Sequence, residues 1–99
     1  MKTASLIAEI KEEAARIAKW TPDATWYLYG SVLDSGIYPA DIDVLIVYTS
    51  AEDALVIRRE LRDLCHSLPL HLLLVTRDEE AELNFIATQG CMQVFPELQ

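Results

Sequence analysis

The chain is short of positive charge, cysteine, glycine and proline, and it has no long apolar run. Eight Lys and Arg stand against sixteen Asp and Glu in 99 residues, a net charge of −8 with histidine neutral. So acidic a surface has no electrostatic footprint for duplex DNA or anionic lipid. Cys65 and Cys91 are the only cysteines. Two do not make the disulfide framework of a small secreted domain. With His66 and His71 they also lack the spacing of a usual structural zinc module. Three glycines and four prolines, beside 52% hydrophobic and 24% charged residues, exclude a collagen-like repeat, a low-complexity linker and a disordered tail. No stretch approaches the ~20 apolar residues that span a bilayer. Charge at Glu9, Lys11, Glu12 and Glu13 interrupts the first segment before a leader-like run develops. These features predict one cytoplasmic domain over residues 1–99, with reduced thiols and no membrane association.

What is present is a regular alternation of patterns. Leu6, Ile7, Ile10, Ala14 and Ile17 recur at helical spacing and predict a helix over 3–19, ended by Thr21-Pro22-Asp23. Residues 25–29 (Thr-Trp-Tyr-Leu-Tyr) read as a short strand stopped at Gly30-Ser31. Residues 31–40 read as a short helical turn and a loop. Residues 42–48 form the clearest strand. Thr49-x-x-Glu52 predicts a capping box opening a helix over 51–66, with Leu55, Val56, Leu61 and Leu64 inward. After Pro69 a third strand covers 70–75. Thr76-x-x-Glu79 opens a helix to Thr88, and Gly90 is placed to cap it. Residues 91–95 add a short last strand. The order α-β-turn-β-α-β-α-(β) predicts an α/β (α+β) fold, one small mixed sheet with helices packed on it.

Chemistry concentrates in two places. Asp41 and Asp43 bracket Ile42 at the head of the best strand, and alternation puts both carboxylates on one face. Adjacent carboxylates repel, and a divalent ion bridging them removes the conflict. The plainer reading is a turn residue followed by an exposed strand residue. Gly30-Ser31 follows the preceding strand. Glycine lets a phosphate approach the backbone, and a helix start offers free N–H groups. Alone it is an ordinary turn with an N-cap. Together, the two elements can hold phosphates and the cation that bridges them.

Tyr29-Gly30-Ser31, followed by Asp41-Ile42-Asp43-Val44-Leu45-Ile46-Val47, resembles the Gly-Ser…Asp-x-Asp signature of the minimal nucleotidyltransferases of the DNA-polymerase-β-like superfamily. The likeness extends to the leading helix and to the closing stretch from Phe85 to Phe95. It implies a nucleotidyltransferase-like fold and a metal-dependent transferase. A nucleotidyl group would move from a nucleoside triphosphate, ATP first, to a hydroxyl of a partner macromolecule. Gly30 and Ser31 would bind phosphate, and Asp41 and Asp43 would hold Mg²⁺ or Mn²⁺. The resemblance further implies a HEPN-type protein partner in a toxin–antitoxin setting, or a homo-oligomer.

Two departures stand out. Where active members carry a third carboxylate, the strand Pro69–Thr76 offers only His71, which reads either as a ligand or base completing the catalytic set with Asp41 and Asp43, or as a packed strand histidine. Where active members carry an arginine after the serine, this chain has Val32-Leu33-Asp34. Both support an alternative, a catalytically degenerate module that binds a partner as an antitoxin-like subunit. Arg58, Arg59 and Arg62 form either a small basic ridge or a solvated helix face. Trp20, Trp26, Tyr27, Tyr29 and Tyr38 lie near the site in sequence and suit base stacking or packing.

Overall fold

A computed structural model describes residues 3–34 and 41–97. Its elements are α1 (Thr3–Ile17), β1 (Thr25–Tyr29), a 3₁₀ turn (Gly30–Leu33), β2 (Ile42–Tyr48), α2 (Ala51–Glu60), α3 (Arg62–Ser67), β3 (Leu70–Thr76), α4 (Arg77–Leu83), α5 (Phe85–Gln89) and β4 (Met92–Phe95). The loop part of 31–40, with Tyr38, lies outside the described residues. Four strands form one mixed sheet in the order β3-β2-β1-β4. β1 runs antiparallel to both β2 and β4, while β2 and β3 are parallel. Parallel neighbours need a crossover, and α2 with α3 supplies it. The α+β architecture with a mixed sheet is therefore as expected. No helix among the described residues is long and apolar enough to cross a membrane.

The strand period divides the core in two. Trp26, Leu28, Ile42, Val44, Ile46 and Val94 face Leu6, Ile10, Ala14 and Ile17 of α1, Ile57 of α2 and the following Leu61. Each fully buried large aliphatic or aromatic side chain here contributes roughly 1.5–3 kcal/mol of transfer free energy. On the opposite face Leu45, Val47 and Val75 pack with Tyr27, Tyr29, Leu73, Phe85, Ile86 and Cys91. Asp43 shares this second face through the i, i+2 period.

Several local expectations shift. The first helix ends at Ile17, where the buried Thr21 donates its hydroxyl back to the Ile17 carbonyl at 3.3 Å. The cap of α2 is Ser50 with Asp53, not Thr49 with Glu52. Ser50 Oγ accepts from Asp53 N, and Ser50 N donates to Asp53 Oδ2 at 3.3 Å. The cause is β2, which stays in register with β3 through Tyr48 and so delays the turn by one residue. The helix expected over 51–66 breaks at Leu61 into α2 and α3. Leu55 is 71% exposed rather than inward. Ile57 and Leu61 set the buried stripe, and Leu55 lies about 200° around the helix from Ile57. The Thr76–Glu79 capping box forms as expected, with both reciprocal hydrogen bonds. The helix after it breaks at Asn84, which adopts the left-handed conformation at φ 51° that Asn tolerates. Glu80 Oε2 then accepts from the backbone N–H groups of Phe85 and Ile86, capping α5.

One ion-pair group ties the first helix to the crossover. Arg16 donates to Glu13 and, at 2.7 Å, to Glu60 Oε1. These bonds hold the Glu60 carboxyl below its ordinary value of 4.5. A depressed carboxylate contributes stability above its unfolded value and loses that contribution as pH falls through the lower folded value. Glu60→Gln is therefore expected to lower Tm slightly at pH 7 and to have no effect once the pH is well below 4.5. Melting wild type and variant across that range checks it.

Candidate functional site: a glycine turn against Asp43

β1 ends at Tyr29 because Gly30 turns the chain with φ +77°. The antiparallel register sets Tyr29 opposite Asp43. Gly30 is thereby pressed onto the Asp43 carboxylate, and a β-carbon there would overlap Asp43 Oδ2. Both the backbone angle and the missing side chain are required at this position. Val32, fully buried, anchors the turn, while Ser31 stays exposed. The turn is a single 3₁₀ turn of four residues, closed by Asp34 N donating to Ser31 O at 3.0 Å. Little macrodipole accumulates over that length. What the turn offers a phosphate is individual N–H groups and the Ser31 hydroxyl.

On the other side of Asp43, the parallel register places His71 directly beside it. Tyr29, Asp43 and His71 therefore form one row across three strands on one face. His71 Nδ1 lies 3.1 Å from Asp43 Oδ1, in hydrogen-bond contact. The His71 side chain is 76% exposed and that of Asp43 22%. His71 is thus not a packed core histidine; it stands exposed beside Asp43 on the same face of the sheet. Tyr29 closes the row with its ring edge-on to Phe85 at 5.0 Å. Burial, and then the neighbouring Asp43 charge, push the Tyr29 phenol above its ordinary value. α5 covers the face beyond this row, through Phe85 and Ile86.

Asp41 precedes the strand and is exposed. The ladder to β3 begins one residue later, with Ile42 N donating to Pro69 O at 2.9 Å. Among the described residues no three His, Cys, Asp or Glu side chains converge as a metal cluster. A cation here would draw one or two carboxylates from the chain and its remaining ligands from water and phosphate. Mg²⁺ commonly accepts that arrangement. The bare Gly30 backbone against Asp43 Oδ2 suits it, because a phosphate on the turn and a cation on the carboxylate would be neighbours.

The remaining candidates separate. Cys65 packs at the edge of the core that holds Trp26, and Cys91 belongs to the opposite face, so no zinc site forms from them. Trp26 is a core residue, and Trp20 is 45% exposed with Lys19 over its ring. Of the three arginines Arg58, Arg59 and Arg62, Arg59 pairs with Glu60 at 3.2 Å. The sequence marks Glu9, Glu12 and Glu13 only as charges that interrupt the first apolar segment. They line a groove of about 330 Å³ with Asp63, Leu64 and Ser67, in the helical layer on the Trp26 side of the sheet. Only the α1 periodicity could have pointed to it.

The register of His71 carries its own prediction. His71→Asp sets a second carboxylate against Asp43, and ligand charge count tunes cation affinity, so Mg²⁺ should bind roughly tenfold more tightly or better. Calorimetric titration with Mg²⁺ checks this, and unchanged affinity would place residue 71 outside the coordination reach of Asp43. No family model, curated protein or solved structure matches this chain.

Proposed function

We propose that this chain is a metal-dependent nucleotidyltransferase of the minimal kind, using a nucleoside triphosphate, ATP first, and a hydroxyl of a partner macromolecule as acceptor. The observation that supports it is the contact of Gly30 with Asp43. It joins a glycine turn, suited to phosphate, to a carboxylate suited to a cation. Gly30 and Ser31 take the triphosphate, and Asp43, with Asp41 from the segment ahead of the strand, takes Mg²⁺ or Mn²⁺. The bound cation supplies the positive charge that a chain of net charge −8 lacks. The acceptor oxygen bonds to the α-phosphorus while the bond to the departing pyrophosphate breaks, and the hydroxyl proton passes to solvent. The chain's own part is positioning and charge neutralisation. The acceptor belongs to a partner of the HEPN type, modified on tyrosine or serine in a toxin–antitoxin pair.

A second reading is favoured by the residue at position 71. An imidazole bonded to Asp43 stands where a third carboxylate would help activate the acceptor. The same domain would then bind nucleotide or partner without turnover. Incubation with α-phosphate-labelled nucleoside triphosphates, a divalent ion and candidate acceptor proteins separates the two. Covalent label that disappears in Asp43→Ala supports the transferase. Metal-dependent nucleotide binding with no label on any acceptor supports the second reading.

A further inference from the structure

The two edges of the sheet are treated very differently. β4 is short, four residues, with an irregular register against β1, and Pro96, which has no N–H, follows it. Short length, irregularity and proline are the usual means by which an edge avoids pairing with another chain. β3 has none of them. It runs for seven residues, Leu-His-Leu-Leu-Leu-Val-Thr, in unbroken register with β2 and without one Lys, Arg, Asp or Glu. Leu72, Leu73 and Leu74 are only partly buried, although they point to alternate faces.

The register says which backbone groups face outward. Ile42 N donates to Pro69 O, so in this parallel ladder His71, Leu73 and Val75 turn their N–H and C=O groups towards β2. Leu70, Leu72, Leu74 and Thr76 turn theirs outward. The ends of that outer edge are closed by the chain itself. Leu70 N donates to Leu68 O at 2.7 Å, and Thr76 N donates to Glu79 Oε1 at 2.8 Å. Between them, Leu72 and Leu74 have outward N–H and C=O groups with no partner among the described residues.

We propose that two copies of this chain meet along the outer edge of β3, antiparallel, with Leu72 of each opposite the partner's Leu74 and Leu73 opposite itself on a two-fold axis. The pattern of groups is self-complementary under that axis. Leu72 and Leu74 each exchange N–H and C=O with one residue of the other copy, which makes four backbone hydrogen bonds and leaves neither closed end to be opened. Leu73 meets its symmetry mate at the closer, non-hydrogen-bonded position, extending the apolar cluster of Leu45 and Val47 across the junction. Leu72 and Leu74 do the same on the opposite face. Electrostatics favours this place for a second copy. Two chains of net charge −8 repel wherever carboxylates meet, and β3 carries none. The pairing does not depend on the nucleotide site.

Sedimentation velocity of the full chain over a range of concentrations is the test, supported by two variants. Wild type is expected to reach twice the 11.2 kDa chain mass. Leu74→Pro removes an outward N–H that β2 does not use, once per copy, so the dimer dissociation constant should rise by roughly tenfold or more. In a Cys65→Ser/Cys91→Ser background, Leu73→Cys should cross-link to a covalent dimer on mild oxidation, because its Cα atoms would lie within disulfide reach. Amide exchange in wild type gives a readout free of any folding defect. Leu72 and Leu74 amides should become more protected as concentration rises. A monomer at every concentration overturns the proposal. So does a dimer in which Leu73→Cys fails to cross-link and the Leu72 and Leu74 amides exchange independently of concentration, since another face then holds it.

Discussion

Gly30→Ala is expected to lower stability by about 2–3 kcal/mol, a fall in Tm of roughly 8–24 °C for a domain of this size. Two terms add. The left-handed φ of +77° is unfavourable for any residue with a β-carbon. That β-carbon would also overlap Asp43 Oδ2, and the carboxylate sits between the turn and His71, so relieving the overlap disturbs its bond to Nδ1. Gly90→Ala separates the terms. Gly90 shares the left-handed conformation, at φ +61°, but a β-carbon there meets nothing within 4 Å. It should cost only the conformational part, about 1 kcal/mol. The excess at Gly30 then measures the contact with Asp43. Combining Gly30→Ala with Asp43→Ala should recover most of that excess, which is the signature of directly coupled residues. Denaturant melts of the four proteins provide the cycle. Simple additivity would show that the turn and the carboxylate do not touch.

Asp43→Asn is expected to leave the chain folded and to remove the metal-dependent response to nucleotide. The change keeps the shape and deletes the charge. Asp43 is only partly buried and its partner His71 is largely exposed, so the cost to stability should stay near ~0.5 kcal/mol. Two readings follow from one variant. The Tyr29 phenol, raised by burial and also by the Asp43 charge, should titrate lower than in wild type while staying above its ordinary value of 10.0. Ultraviolet titration detects that shift and verifies the row of Tyr29, Asp43 and His71. Stabilisation by a divalent ion with a nucleoside triphosphate should vanish in the same protein. A phenol that shifts while nucleotide stabilisation persists would keep the geometry and remove Asp43 from the cation site.

The parts of this structure that were legible in the sequence are those fixed by short-range period and capping. The run Ile42–Tyr48 is continuous in β-branched and aliphatic residues, so it reads as a buried strand, and it sits at the centre of the sheet. Alternation places Asp43 opposite in direction to Ile42, Val44 and Ile46, as observed. Gly30-Ser31 after a strand reads as a turn, but nothing local says that it closes onto Asp43. That contact depends on β1 and β2 being antiparallel neighbours, a long-range fact. The exposure of His71 was hidden for the same reason. A histidine in an apolar run looks packed, yet β3 is an edge strand and His71 lies near its open beginning. Leu55 misled because α2 takes its phase from Ile57 and Leu61, and two stripes fit the same short helix. The breaks at Leu61 and Asn84 leave no strong signal, since neither residue is Gly or Pro. Asp41 shows the limit of alternation, which binds a residue to its neighbour's face only inside the ladder, and the ladder starts at Ile42.

In the proposed function Gly30, Ser31, Asp41 and Asp43 bind a nucleoside triphosphate through a divalent cation. The most direct measurement is the melting temperature of wild type and Asp41→Ala/Asp43→Ala with ATP, GTP, CTP and UTP, each in Mg²⁺ and in Mn²⁺. A ligand that binds the folded state raises stability by mass action, about 2.7 kcal/mol at one hundred times its dissociation constant. The expected result is a rise with at least one nucleotide, dependent on the metal and absent from the double variant. No rise with any nucleotide in either metal, or the same rise in the double variant, would contradict the claim.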